Sequence, residues 1–309
     1  MGYFNRNIDN ALRQWSNEKR RKPLMLRGAR QVGKTSAVRN LGKHFKYFVE
    51  INFENKDHSA AKTVFSQHSD PQIICSELAA LFGKPIVAGE TLLFLDEIQS
   101  CTDAISSLRY FYELLPALHV VAAGSLLEFA LEEIPSFGVG RIDSMFMYPF
   151  SFSEFLCATG YEFWTNLIDG ATPENPVYEP VHGKIVEQLK NFLIIGGMPE
   201  VVAEFVETRD FLRCQKVLTG LLVSFRNDFA KYKKRIPATR INEVFSSVSQ
   251  QAEGKFVYEQ VSQNLNNEQV KKSLELLLMA GLCYQVTHSS ADGLLLGARI
   301  NPKYLWVAS

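Results

Sequence analysis

Gly28-Ala29-Arg30-Gln31-Val32-Gly33-Lys34-Thr35 sets two glycines, a lysine and a hydroxyl at fixed spacing directly after the apolar run Leu24 to Leu26. Each part has a chemical use. Glycines let the backbone wrap closely around phosphate groups, and the successive N–H groups of Gly33, Lys34, Thr35 and Ser36 face an anion at a helix N-terminus. Lys34 then reaches the β- and γ-phosphates of a nucleotide, and Thr35 sets its hydroxyl on a magnesium ion. By average residue frequencies such a string arises by accident in roughly one chain per hundred of this length. A second motif lowers that chance further. Thr91-Leu-Leu-Phe-Leu-Asp96-Glu97 reads as a buried strand ending in two acids. Asp96 would emerge at the strand's C-terminal edge beside Thr35 and hold Mg²⁺ through water, and Glu97 would polarise an attacking water. Without the glycine-rich string, the two acids would read equally well as an ordinary strand-to-helix turn favoured by a helix dipole.

Two further residues extend the constellation. His119-Val-Val-Ala-Ala-Gly124-Ser125 is an apolar run closing in a small polar residue. Ser125 either hydrogen-bonds a γ-phosphate or its attacking water, or caps the helix that follows. Gly140-Arg141 precedes the next strand and offers a cation that could serve as an arginine finger in the same chain or a neighbour, or else a solvated surface arginine. Tyr3, Phe4 and Arg6 lie upstream of the glycine-rich string, where an adenine pocket could form.

Positioning these groups calls for alternating strands and helices. Short apolar runs at Pro23 to Leu26, Tyr47 to Phe53, Thr91 to Leu95, His119 to Ala122 and Ser144 to Tyr148 alternate with amphipathic stretches, the pattern of βα units around a mostly parallel sheet. From Ser153 the apolar residues recur at helical spacing, as in Val186, Leu189 and Leu193, and Asp169 to Pro180 reads as an excursion between helices. After Lys231-Tyr-Lys-Lys-Arg235, two short helices are expected over Phe256 to Leu265 and Asn266 to Gly281, the second capped by Asn266 with Gln269. Leu282 to Thr287 and Leu294 to Ile300 then read as a hairpin. Helix, helix, hairpin is the order of a winged helix.

Composition bounds the remaining classes. The 309 residues carry 33 Lys and Arg against 33 Asp and Glu, with 46% hydrophobic residues, so the chain is neither a bulk polycation nor a disordered segment. The greasiest stretch, Leu118 to Leu131, is broken by His119, Ser125 and Glu128, and the N-terminus lacks a signal-type apolar core, so no membrane association and a cytoplasmic location are expected. Five scattered cysteines without a Cys-x-x-Cys pair argue against a zinc ribbon or disulfide framework and for buried thiols in a reducing compartment. Charge is concentrated only locally. Arg226, Lys231, Lys233, Lys234, Arg235 and Arg240, with Lys271 and Lys272 on the second expected helix, could contact DNA phosphates. Glu268 and Glu275 on that helix oppose it, and the competing reading is a solvated helix face, with the winged helix packing on the nucleotide-binding core as an interaction module.

With these residues, and with Leu26-Arg-Gly-Ala-Arg-Gln-Val-Gly-Lys-Thr35, Phe94-Leu-Asp-Glu-Ile-Gln99, Ala123-Gly-Ser125, Tyr148-Pro-Phe-Ser-Phe-Ser-Glu-Phe155 and Gly196-Gly-Met-Pro-Glu200, the chain resembles a known family over essentially its whole length. These are the bacterial and archaeal AAA-type ATPases with a C-terminal domain of unknown function, relatives of the archaeal signal-transduction ATPases. The resemblance implies an α/β P-loop NTPase core over 1–150, a helical lid over 151–235 and a winged-helix domain over 236–309. It implies ATP on Gly28 to Thr35, magnesium on Asp96 and catalysis by Glu97, and it gives Gln99, Ser125 and Arg141 matching positions. Members usually run on into a nuclease-like α/β domain, which should begin where this sequence stops at Leu305-Trp-Val-Ala-Ser309. Two functions fit the residues: a magnesium-dependent ATPase, alone or as a homo-oligomer, whose nucleotide state moves lid and winged helix; or a regulator that binds ATP or ADP without useful turnover and contacts DNA or protein.

Overall fold

The computed structural model describes residues 2–125, 127, 131, 140–229, 236–252, 254–289 and 300–308. The chain folds as two compact units, Met1–Leu218 and Thr219–Ser309.

The first unit is built on five parallel strands: β1 (Leu24–Arg27), β2 (Tyr47–Asn52), β3 (Thr91–Asp96), β4 (His119–Ala123) and β5 (Asp143–Phe146), in the order β2-β3-β4-β1-β5. The expected strands coincide with these to within two residues. The apolar runs of the inner strands β1, β3 and β4 follow from both faces being covered, whereas the edge strands β2 and β5 mix polar and part-exposed residues with buried ones. Met25, Leu93, Leu95, Val120 and Ala122 face one core with helices α3 (Ser59–Gln67), α4 (Pro71–Phe82) and α5 (Thr102–Leu114). Their neighbours Leu24, Leu26, Leu92, Phe94, Val121 and Ala123 face the other, with α1 (Asn7–Asn17) and α2 (Lys34–Gly42). A strand sends successive side chains to opposite faces, so every residue of β3 is buried. Local signals set the helix ends: Asp70 accepts from the Gln72 N–H, Pro71 opens α4, and Gly83 closes it at φ +62°.

His119 starts β4 and is fixed by its neighbours. Arginine only donates, so Nδ1 accepts from Arg21 Nη2 at 3.1 Å, and Nε2 carries the proton it donates to the Ser16 carbonyl at 3.0 Å. Burial, then the Arg21 charge, pushes its pKa down to about 4. The folded pKa lies below the unfolded value of about 6.5, so the stability His119 contributes is present above 6.5 and is lost as pH falls from there toward 4. Urea unfolding is expected to show this acid limb, flattened in His119→Gln, and the wild-type imidazole should titrate by NMR only near the lower end.

The rest of the first unit is helical: α6 (Phe152–Ala158), α7 (Glu162–Asp169), α8 (Glu179–Ile195) and α9 (Pro199–Thr208). In α8 the helical spacing is right but the face is not the expected one. Ile185 and Ile195 are buried, whereas Leu193 is 72% exposed. Cys157 is also exposed, unlike the other four thiols.

α10 (Phe211–Asp228) leads into the second unit, which holds α11 (Ala238–Gln250), α12 (Asn267–Met279) and the antiparallel pair β6 (Tyr284–Ser289) and β7 (Ile300–Ala308). The capping box at α12 is present: Gln269 N–H donates to Asn266 Oδ1 at 2.9 Å, and Asn266 N–H to Gln269 Oε1 at 3.1 Å. The helix expected over Phe256 to Leu265 is not formed beyond a single 3₁₀ turn at Tyr258–Gln260. The Gln251 side chain holds the Val257 backbone, accepting from its N–H at 2.7 Å and donating to its carbonyl at 3.2 Å, and that carbonyl also accepts from the Gln260 N–H at 3.2 Å, the i→i+3 bond of the 3₁₀ turn. The helix that packs on α12 is instead α11. The second hairpin strand lies later than expected, at Ile300–Ala308; the expected stretch Leu294 to Arg299 lies outside the described residues. Lys231, Lys233, Lys234 and Arg235 of the basic cluster lie outside them too. Among the described residues, no helix is long and apolar enough to cross a membrane.

Candidate active site

The loop from Gly28 to Gly33 joins β1 to α2 at the C-terminal edge of the parallel sheet, where α/β proteins bind their ligands. Its glycines are required for different reasons. A Cβ on Gly28, at φ +135°, would lie 2.1 Å from the Met147 carbonyl oxygen. Gly33, at φ +102°, is the left-handed residue that starts α2, and Gln31 takes φ +64°. The first N–H groups of α2, from Lys34 to Ser36, have no intrahelical partner and are available to an anion. Ala29, Arg30 and Val32 complete the loop, and the Val32 carbonyl accepts from Arg6 Nη1 at 3.1 Å.

Lys34 is buried, and Nζ donates to the carbonyls of Gly28 at 2.8 Å and Ala29 at 2.7 Å. Burial lowers its pKa to about 8, against the opposing charges of Glu97 and Asp96. Across the cleft, Asp96 Oδ2 accepts from Thr35 Oγ1 at 3.0 Å and from Asn52 Nδ2 at 3.3 Å, while Oδ1 accepts from the Glu97 N–H at 3.1 Å. Desolvation raises the Asp96 carboxyl pKa, and the neighbouring Glu97 adds to it. Glu97 Oε2 accepts from Gln99 Nε2 at 2.6 Å and from the Ser125 N–H and hydroxyl, each at 3.3 Å.

Thr35, Asp96, Glu97 and Ser125 are thus joined by these contacts at one sheet edge, where Lys34 opens α2 with its ammonium on the loop carbonyls. Arg141 is not among them. Asp143 pairs with Leu24 at the start of β1, so Arg141 stands before the N-terminal edge, at the opposite end of the strands from the loop. Arg141 Nε is held by Glu113 Oε1 at 2.6 Å. An arginine finger acting within its own chain is therefore excluded.

The donor set of Thr35 and Asp96, hard oxygens with a carboxyl strained toward protonation by burial, fits a divalent cation that would favour the ionised form. Among the described residues no three His, Cys, Asp or Glu side chains cluster as a metal site, so phosphate and water oxygens would complete the coordination of magnesium.

A cavity of 540 Å³ adjoins the start of α2 and is lined by Tyr3, Phe4, Gly33, Ser36, Phe150 and Pro199, among others. Arg6 ties its wall together. Its guanidinium lies 4.0 Å over the Phe150 ring, donates to the Tyr148 carbonyl at 2.8 Å and pairs with Glu154 at 3.0 Å. Glu154 also completes the capping box of α6 by accepting from the Ser151 N–H at 2.9 Å. Tyr3, Phe4 and Arg6, expected near an adenine pocket, do line this cavity, whereas Asn52 and Glu154 were not legible as site residues. Only the parallel register that sets Asn52 opposite Asp96 reveals the first.

Residues 20–156 match the model of an AAA domain, and residues 186–307 that of a domain of unknown function. The first unit is thus similar to an AAA domain over residues 20–156, on a parallel α/β core consistent with a P-loop NTPase, and the match to the C-terminal region names no function. A Walker-type ATPase of Pyrococcus abyssi is similar in fold, with a TM-score of 0.60 at 16% identity over 92% of this chain and 91% of that one. The replication initiator DnaA bound to AMPPCP and single-stranded DNA gives 0.38 at 12% identity, over 88% of this chain and 77% of that one. The Drosophila ORC bound to DNA gives 0.38 at 14% identity, over 94% and 89%. These last two are too distant to carry an argument. No curated protein matches the chain.

Proposed function

We propose that the protein binds ATP with magnesium and hydrolyses it, and that its nucleotide state moves a helical lid and a winged-helix unit in a regulatory role. The observation that carries the reading is the meeting of Lys34, Thr35, Asp96 and Glu97 at the C-terminal edge of the sheet. In this reading Gly28 to Ser36 wrap the phosphates, and Lys34 leaves its two loop carbonyls for the β- and γ-phosphates. Thr35 and Asp96 hold magnesium, which when bound neutralises phosphate charge. Glu97 accepts the proton of the attacking water, and Ser125, on the same carboxylate, lies within reach of that water or the γ-phosphate. The 540 Å³ cavity beside Gly33 and Ser36 is of a size to take the adenosine. Residues 1–150 form the core, 151–235 the lid and 236–309 the winged-helix unit. Arg141 can serve as a finger only toward a neighbouring copy, which makes a homo-oligomer part of the proposal. DNA or protein would be met through the winged-helix unit. There Lys272 is already paired with Glu268 at 2.7 Å, which weakens its appeal to phosphate.

Purified protein is expected to release phosphate from ATP in the presence of magnesium and to stop when the metal is chelated. Tight binding with turnover no faster than the uncatalysed background would select the non-hydrolysing regulator instead.

A further inference from the structure

Glu97 follows β3 at φ +49°, ψ +45°, a left-handed conformation that a residue with a Cβ adopts at a cost. The backbone is bent to present this side chain, and the carboxylate is then held by one oxygen. Oε2 receives the Gln99 amide at 2.6 Å and the two weaker Ser125 donors. Charge fixes the orientation of the Gln99 amide, because its reverse would set a carbonyl oxygen against the carboxylate. The consequence is an orphan: Gln99 Oε1 is buried with no hydrogen-bond partner. A buried acceptor left in this way is destabilising, so the fold retains Gln99 against a local cost.

Gly124 makes the arrangement possible. A Cβ there would lie 2.0 Å from Gln99 Oε1 and 3.1 Å from its Cδ. Gly124 is not among the positive-φ residues, so what its missing side chain supplies is space for the amide.

We propose that Gln99, seated over Gly124, is a positioning residue that fixes Glu97 by Oε2 and leaves Oε1 to accept the proton of the attacking water. This role rests on Glu97 being the base of the proposed hydrolysis. In that step the water oxygen bonds to the γ-phosphorus while its proton passes to Oε1. The bond from the γ-phosphorus to the β,γ-bridging oxygen breaks, and ADP leaves.

Steady-state hydrolysis by the full chain tests it, with Gln99→Leu, Gly124→Ala and the double variant. Each single variant is expected to lower kcat by about 10- to 100-fold, the worth of one hydrogen bond to a charged group. KM for ATP should stay within about 2-fold, since the amide acts on the base and not on the phosphates. The double variant should fall no further than the slower single one, because both remove the same contact. A merely structural loss would raise KM with the fall in kcat, and that result, wild-type kcat in Gln99→Leu or additive losses would each overturn the role. Equal turnover in wild type and Glu97→Gln would remove the base and the proposal with it. Slow Glu97→Gln beside unimpaired Gln99→Leu would remove Gln99 alone.

Discussion

Glu97→Gln is expected to bind ATP as well as the wild type and to hydrolyse it about 10²- to 10⁴-fold more slowly, the usual contribution of a positioned general base. The substitution is close to isosteric, and the fold gives it little reason to rearrange. The amide oxygen can take the place of Oε2, still accepting from Gln99 and Ser125. What faces the water is then an NH₂ group, which cannot accept a proton. Removing the charge also acts on the neighbours. Desolvation is the main cause of the raised Asp96 carboxyl, but Glu97 adds to it, so the variant's Asp96 ionises more readily. Magnesium nucleotide should therefore bind at least as tightly. Single-turnover phosphate release, measured beside a nucleotide titration, separates the two effects. Hydrolysis at the wild-type rate would show that Glu97 is not the base.

Local chemistry was legible in the sequence and long-range chemistry was not. The inner strands were visible because a parallel strand covered on both faces is apolar throughout, as in Leu92 to Leu95, and the edge strands β2 and β5 show weaker versions of the same run. The phosphate loop was visible because its parts lie within eight residues, although the reason for Gly28, the Met147 carbonyl, comes from more than a hundred residues away. Asn52 carries no motif; it joins Asp96 only because β2 pairs with β3 in register. Glu154 is an ordinary charged residue until the fold buries it against Arg6 beside the loop. Arg141 reads as a finger by its place ahead of a strand, yet a parallel register puts the beginning of that strand at the wrong edge. The missing helix at Phe256 has the same origin. Helical spacing cannot anticipate that the Gln251 side chain will reach across to the Val257 backbone, whose carbonyl then closes only a 3₁₀ turn.

Lys34→Ala should weaken ATP binding by at least about 100-fold. The Lys34 ammonium is buried between the Gly28 and Ala29 carbonyls, two neutral acceptors for a full charge. Phosphate oxygens would replace these dipoles with charges, and two charge-assisted bonds at about 1.5–3 kcal/mol each amount to about 3–6 kcal/mol, or roughly 10²- to 10⁴-fold. Thermal shift reads the loss directly. Ligand raises the stability of the wild type by an amount set by its concentration over Kd, and the variant should show no shift at the same concentration. The pH dependence of stability gives an independent signature. Burial takes the Lys34 pKa from its ordinary 10.5 to about 8. Between these values the unfolded chain binds more protons than the folded one, so unfolding free energy rises with pH. The destabilisation from the buried charge is complete below 8 and relieved as pH climbs toward 10.5. Urea unfolding at either end of that window should show the rise in the wild type and its absence in Lys34→Ala. A variant that keeps both the thermal shift and the alkaline rise would mean that ATP binds elsewhere and that Lys34 is not the group titrating.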